Sequence, residues 1–103
     1  MILIRWLPIA ILQAIIVADP PSRYDFSYPG QLNEVKLDAL AVHKYCGGRG
    51  DAVQRLLGCA VPLGAKCIIV LPKVESMLIS KAQQDRVRRH EVAHCNGWGV
   101  NHD

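Results

Sequence analysis

Ser80–Trp98 reads SKAQQDRVRRHEVAHCNGW, and the conformation of this stretch decides how the chain is organised. Ser80 followed three residues later by Gln83 is a capping-box pattern, so a helix is expected to begin near Lys81. No Gly or Pro interrupts the chain from Lys81 to Asn96. Gly97 is then placed to end the helix in a left-handed conformation. The preceding ESMLIS is expected to add an earlier turn. Val87, Glu91, His94 and Trp98, together with His90, fall on adjoining faces of such a helix. Most of its remaining surface is polar.

Working back from the helix, GCAVPLGAKCIIVLP holds the clearest strand signal. Cys59–Val61 and Lys66–Leu71 are short apolar runs separated by a turn at PLGA. CIIVL is a continuous, largely β-branched run, as expected of a strand that is buried on both faces or lies beside a helix. Pro72 ends it. Further back, NEVKL alternates Val35 and Leu37 with polar neighbours and reads as a short strand. ALAVHKYC reads as a helix with Asp38 as its cap, whose carboxylate should accept free amides of the first turn. Leu40, His43 and Tyr45 or Cys46 are spaced for packing. The glycines of GGRGD end this helix, and the RGD string carries no weight by itself. A small α+β domain follows: a short antiparallel β-sheet packed against a long C-terminal helix.

The N-terminus is of another kind. The chain has 103 residues and is 50% hydrophobic, but MILIRWLPIAILQAIIVA raises that figure. This segment has one charge, Arg5, then an apolar centre and the small Ala18 before DPP, the layout of a secretory leader. Trp6–Ala18 is short for a membrane span, which needs about 20 residues. Cleavage after Ala18 is the expected outcome, with an uncleaved anchor or a buried element as the alternatives. Residues 1–18 are thus read as a signal peptide or anchor, 19–31 as an extended tether rich in Pro, Ser, Tyr and Asp, and 32–103 as the domain. The formal net charge is +3, with no basic stripe interleaved with aromatics, so no nucleic-acid partner is expected. Cys46, Cys59, Cys67 and Cys95 all follow the leader, and no C-x-x-C pair exists. An even count in a small exported chain reads as two disulfides, with all three pairings open. Secreted or periplasmic localisation follows, and a membrane contact only if residues 1–18 are retained.

The chemistry lies in RHEVAHCNGWGVNHD, Arg89–Asp103. His90 and His94 are one helical turn apart and can direct two imidazoles at one ion. Glu91 is rotated about 100° from His90 and can reach water at that ion. H-E-x-x-H on a helix therefore supplies two nitrogen ligands for Zn2+ and a carboxylate base. Catalytic zinc usually takes three protein ligands and keeps one position open. His102 is the favoured third ligand, because an imidazole suits the ion and a terminal residue such as Asp103 tends to fray. Asp103 competes as an oxygen ligand, and His43 is a more distant candidate. Cys95 points away from His94 and reads as a disulfide partner. Trp98 reads as core.

HEVAHCNGWGVNH resembles the zincin metallopeptidases, and most closely the metzincin pattern H-E-x-x-H-x-x-G-x-x-H. His90, Glu91, His94 and Gly97 match it. The pattern's last histidine falls at Val100, which has no lone pair, and His102 stands two residues later. No methionine follows for a Met-turn, and the match covers about the final fifteen residues. The wider layout resembles small secreted zincin-type proteins of bacteria and phage. The resemblance implies a zinc metallopeptidase acting on a peptide or protein, including peptidoglycan stem peptides, with Glu91 as general base. It also implies that CIIVL pairs with an extended substrate. The alternatives are a non-catalytic, zinc-stabilised secreted binding module and a phage-type peptidoglycan peptidase.

Overall fold

Lys66–Pro72 is the strand on which the rest is assembled. In the computed structural model, residues 18–47, 58–77 and 80–102 are described. Their elements are β1 (Gln31–Leu37), α1 (Ala39–Cys46), β2 (Cys59–Leu63), β3 (Lys66–Pro72), the short α2 (Val74–Met77) and α3 (Lys81–Cys95), after a 3-10 turn at Ser22–Tyr24. The sheet order is β1-β3-β2. β3 is central, which explains its unbroken apolar run: Cys67, Ile69, Val70, Leu71 and Pro72 are all buried. β1 is exposed along almost its whole length.

The α+β organisation holds, but the sheet is mixed where an antiparallel one was expected. β2 and β3 form an antiparallel hairpin, with Cys59 opposite Val70 and Leu63 opposite Lys66. Gly64, at the first of two loop positions, takes a positive φ of 70°, as tight hairpin turns favour. β1 joins the other edge of β3 in parallel, Gln31 opposite Lys66 and Leu37 opposite Pro72. A helix follows β1 directly, so β1 cannot make a hairpin with the next strand, and the parallel pairing goes with that crossover.

Side chains alternate along a strand, so β3 has two distinct faces. Ile69 and Leu71 meet Val87 of α3, with Ala60, Val92 and Cys95 packed around them. Val70 points the other way, as does Cys59, its partner across the hairpin. The disulfides follow this division. Cys67–Cys95 ties α3 to the first face, and Cys46–Cys59 ties α1 to the second. Of the three pairings the sequence left open, this is the one the faces permit.

Local expectations met mixed outcomes. The capping box is complete: Gln83 N donates to Ser80 Oγ at 3.1 Å and Ser80 N donates to Gln83 Oε1 at 2.8 Å. At the other end Gly97 has φ 108°. Its N–H donates to the His94 carbonyl at 3.1 Å, and that of Trp98 to the Ala93 carbonyl at 3.0 Å. This is the Schellman pattern. Asp38 stands at the α1 N-cap position, yet its side chain makes no capping bond. It lies 3.8 Å from the Lys73 ammonium instead. Leu40 is 65% exposed and Tyr45 is also exposed, whereas Val42 is fully buried. The inward stripe of α1 is thus Val42 and Cys46, one turn apart, because the disulfide fixes which side faces the sheet. The leader reading of residues 1–17, the GGRGD loop from Gly48 onward, and Asp103 lie outside the described residues. Among the described residues no helix is long and apolar enough to cross a membrane. Two disulfides fit an oxidising compartment.

The cross-links close loops of 13 and 28 residues, each contributing about 3–4 kcal/mol in the chain-entropy account. An exposed ion pair contributes at most about 1 kcal/mol. Non-reducing peptide mapping is therefore expected to return Cys46 linked to Cys59 and Cys67 linked to Cys95. The C67A/C95A pair is expected to lower urea stability by about 3 kcal/mol, and a loss below about 1 kcal/mol would contradict the anchoring role of that bond.

Candidate metal centre

Packing sets the rotation of α3. Gln84, Val87 and Glu91 are buried at three- and four-residue spacing, which is the stripe that faces the sheet. Gln84 fixes it further by donating to the Pro72 carbonyl at 2.9 Å, at the end of β3. His90 and His94 then fall on the neighbouring face, one turn apart. The Schellman turn reverses the chain, and a further turn, His102 N donating to Gly99 O at 2.8 Å, brings His102 back. His102 has φ 62°, a left-handed conformation that L-residues other than glycine rarely adopt. That backbone directs its ring at the two helix imidazoles.

The three rings converge through their Nε2 atoms. His90 Nε2 is 3.2 Å from His94 Nε2 and 3.2 Å from His102 Nε2. One ligand atom from each residue lies within 4.8 Å of the others, a group that can hold a metal ion. Tetrahedral zinc with nitrogens at 2.0–2.1 Å requires N···N separations of about 3.3–3.4 Å, which the two separations from His90 approximate, while the group as a whole spans up to 4.8 Å.

The outer nitrogens are engaged. His90 Nδ1 donates to the Ala18 carbonyl at 2.8 Å, and His94 Nδ1 donates to the Trp98 carbonyl at 2.7 Å. A carbonyl can only accept, so both Nδ1 atoms carry the hydrogen and both Nε2 atoms present lone pairs. These two lone pairs face each other at 3.2 Å, an arrangement that could accept a cation. A proton fits poorly: burial pushes His90 down to about 4 and lowers His94 as well, with the neighbouring imidazoles adding to both effects. Trp98, 4% exposed, walls the site. Its ring stacks on His94 at 4.8 Å and meets His90 edge-on at 4.9 Å. Trp98 is thus both core, as read from the sequence, and part of the site. Its indole Nε1–H is buried with no hydrogen-bond partner among the described residues.

Glu91 is 6% exposed, and its carboxylate is not one of the grouped ligand atoms. One oxygen lies 3.5 Å from where a Cβ on Gly58, at the start of β2, would stand. Burial alone pushes its pKa up to about 8. His43, the distant candidate ligand, sits on α1, across the sheet from α3. Its Nδ1 is buried without a hydrogen-bond partner among the described residues, and it does not join the cluster. Three contributions had no signature in the sequence: the Ala18 carbonyl, the Trp98 carbonyl and Gly58. Backbone acceptors carry no residue code. Gly58 is recognisable only once its φ of 141° is known, and a Cβ there would run into the Val70 carbonyl.

Comparison with protein-family models, with curated proteins and with solved structures finds no match.

Two expectations follow. In the metal-free chain, His90 and His94 bind protons less readily folded than unfolded, so their contribution is complete above about 6.5 and is lost as pH falls, for His90 through about 4. Glu91 works oppositely: its contribution is complete below 4.5 and is lost as pH rises through about 8. Urea unfolding of chelator-treated protein should therefore show greatest stability near pH 6.5 and a decline toward pH 8 that E91Q removes. A wild-type stability that keeps rising through that interval would contradict the burial of Glu91. Separately, G58A is expected to cost about 1–3 kcal/mol, the scale of a backbone forced out of its allowed regions. Wild-type stability in that variant would show that Gly58 is dispensable.

Proposed function

We propose that the chain is a zinc-dependent metallopeptidase, with His90, His94 and His102 as metal ligands and Glu91 as general base. The observation that carries this reading is the pair of Nε2 lone pairs held face to face on an H-E-x-x-H helix, with a third imidazole folded back onto them. Imidazole donors at this spacing suit zinc. When bound, zinc supplies the Lewis acidity that makes water a nucleophile near neutral pH. Glu91, one residue along the helix from a ligand, takes a proton from the attacking water and passes it to the departing amine nitrogen. Burial alone holds its carboxyl protonated up to about 8, so in this role the charge of a bound cation is what keeps it ionised near neutral pH.

β3 was expected to pair with an extended substrate, but both of its edges are occupied. β2 takes that role in this reading. Among the described residues no strand pairs with its outer edge, and its start adjoins Glu91. A peptide added there as a further strand gains main-chain hydrogen bonds. Polypeptides and peptidoglycan stem peptides both fit. The two disulfides and the leader-like residues 1–18 support action outside the cytosol. A second reading, a non-catalytic metal-stapled binding module, draws on the depth at which Glu91 is buried.

E91Q separates the two readings. The amide keeps the shape but cannot take a proton, so zinc is expected to bind as in the parent while hydrolysis of a peptide library falls about a hundredfold or more. Equal hydrolysis by parent and variant would falsify the catalytic assignment, and a zinc-bound parent with no hydrolysis favours the binding module. In zinc titrations, H102A is expected to weaken binding sharply while H43A leaves it unchanged, and the reverse order would remove His102 from the ligand set.

A further inference from the structure

The segment ahead of β1 was read as a tether, yet residues 18–26 lie along α3 and are tied to it at several points. Pro20 is buried. The Asp19 carboxylate is 3.6 Å from Arg89 and 3.7 Å from Arg86. Asp25 receives the Arg89 guanidinium, whose Nε lies 2.9 Å from each carboxylate oxygen. Asn96, the C-cap of α3, donates through Nδ2 to the Tyr24 carbonyl at 3.0 Å and to the Phe26 carbonyl at 2.6 Å. At Ala18, the first described residue of this strap, the carbonyl lies 2.8 Å from His90 Nδ1.

We propose that the strap is a working part of the metal centre. Its Ala18 carbonyl holds His90 with the hydrogen on Nδ1 and the Nε2 lone pair turned to His94 and His102, and Asp25 and Asn96 are positioning residues that keep the carbonyl there. This rests on the reading of the three histidines as metal ligands.

A neutral imidazole has two tautomers, and only one leaves Nε2 free to ligate. The acceptor opposite Nδ1 chooses between them, and loss of such an outer contact typically costs 10–100-fold in metal affinity. The two helix histidines differ in where that acceptor comes from. His94 uses the Trp98 carbonyl, four residues on and fixed by the same Schellman turn that ends α3. His90 uses a carbonyl 72 residues away in sequence. Freeing the strap should therefore disturb His90 and leave His94 as an internal control. The leader pattern places a cut directly after Ala18, which would remove the very carbonyl that His90 uses. The strap reading accordingly requires the 18–19 peptide bond to be intact in the form that binds metal best.

The test uses the full chain, as parent, as D19A/D25A and as N96A. Zinc affinity is measured by competition with a chromogenic chelator. The tautomers of His90 and His94 are read from imidazole nitrogen shifts of the metal-free proteins by NMR. The parent is expected to show both rings protonated at Nδ1. Each variant is expected to show His90 as a mixture of tautomers, His94 unchanged, and zinc affinity lower by about tenfold or more. A parent His90 protonated at Nε2 overturns the proposal, as do folded variants that keep the parent's tautomer and affinity. A parent that binds no zinc defeats the metal reading instead, and the nitrogen shifts still decide whether the strap sets the ring.

Discussion

The contact of Val87 with Ile69 and Leu71 is the constraint on which the arrangement depends. A helix packed on a sheet can in principle rotate about its axis, and 100° of rotation would exchange His90 for Glu91. Full burial of an aliphatic side chain contributes about 1.5–3 kcal/mol. The exposed ion pairs of α3, Lys81 with Asp85 and Arg88 with Glu34, are individually weaker. The apolar stripe therefore sets the rotation, and the ion pairs decorate it. Once Val87 faces β3, Glu91 must point toward the start of β2, and His90 and His94 must flank the sheet.

Features encoded by local chemistry were legible in the sequence. Ser80 with Gln83 and the glycine at 97 set the limits of α3 because a capping box and a positive-φ turn are local devices. The His90, His94 and His102 cluster was legible for the same reason: two members share a helix and the third is only eight residues further on. Asp38 and Leu40 misled because each depends on something distant. A cap residue can be drawn to a lysine, and the inward side of a short helix is decided by its cross-link. The parallel entry of β1 and the choice among disulfide pairings needed the two faces of β3 to be assigned first. The Ala18 carbonyl was beyond reach altogether, since every residue offers the same acceptor.

The metal-free site is built to be uncharged. Burial disfavours the protonated form of His90 and His94 and the ionised form of Glu91. All three groups are thereby driven toward neutrality, which avoids the large cost of an isolated buried charge. The three imidazoles are thereby gathered without a buried charge among them, with the core and two cross-links carrying stability.

Cys95 directly follows His94, and its bond to Cys67 secures the last turn of α3. That turn carries His94 and launches the reversal that returns His102 to the cluster. The bond has a second effect, which concerns competition. Thiolates are among the strongest ligands for a borderline-soft ion, and a reduced Cys95 would offer one on the residue next to His94 in sequence. Oxidation withdraws it, together with its partner, from the donors open to the ion. The histidine cluster is then left without a sulfur rival among the described residues, since none of their cysteines is free. Were a metal ion to reach this cluster, the order in which the chain met oxidant and ion would select which atoms the ion finds.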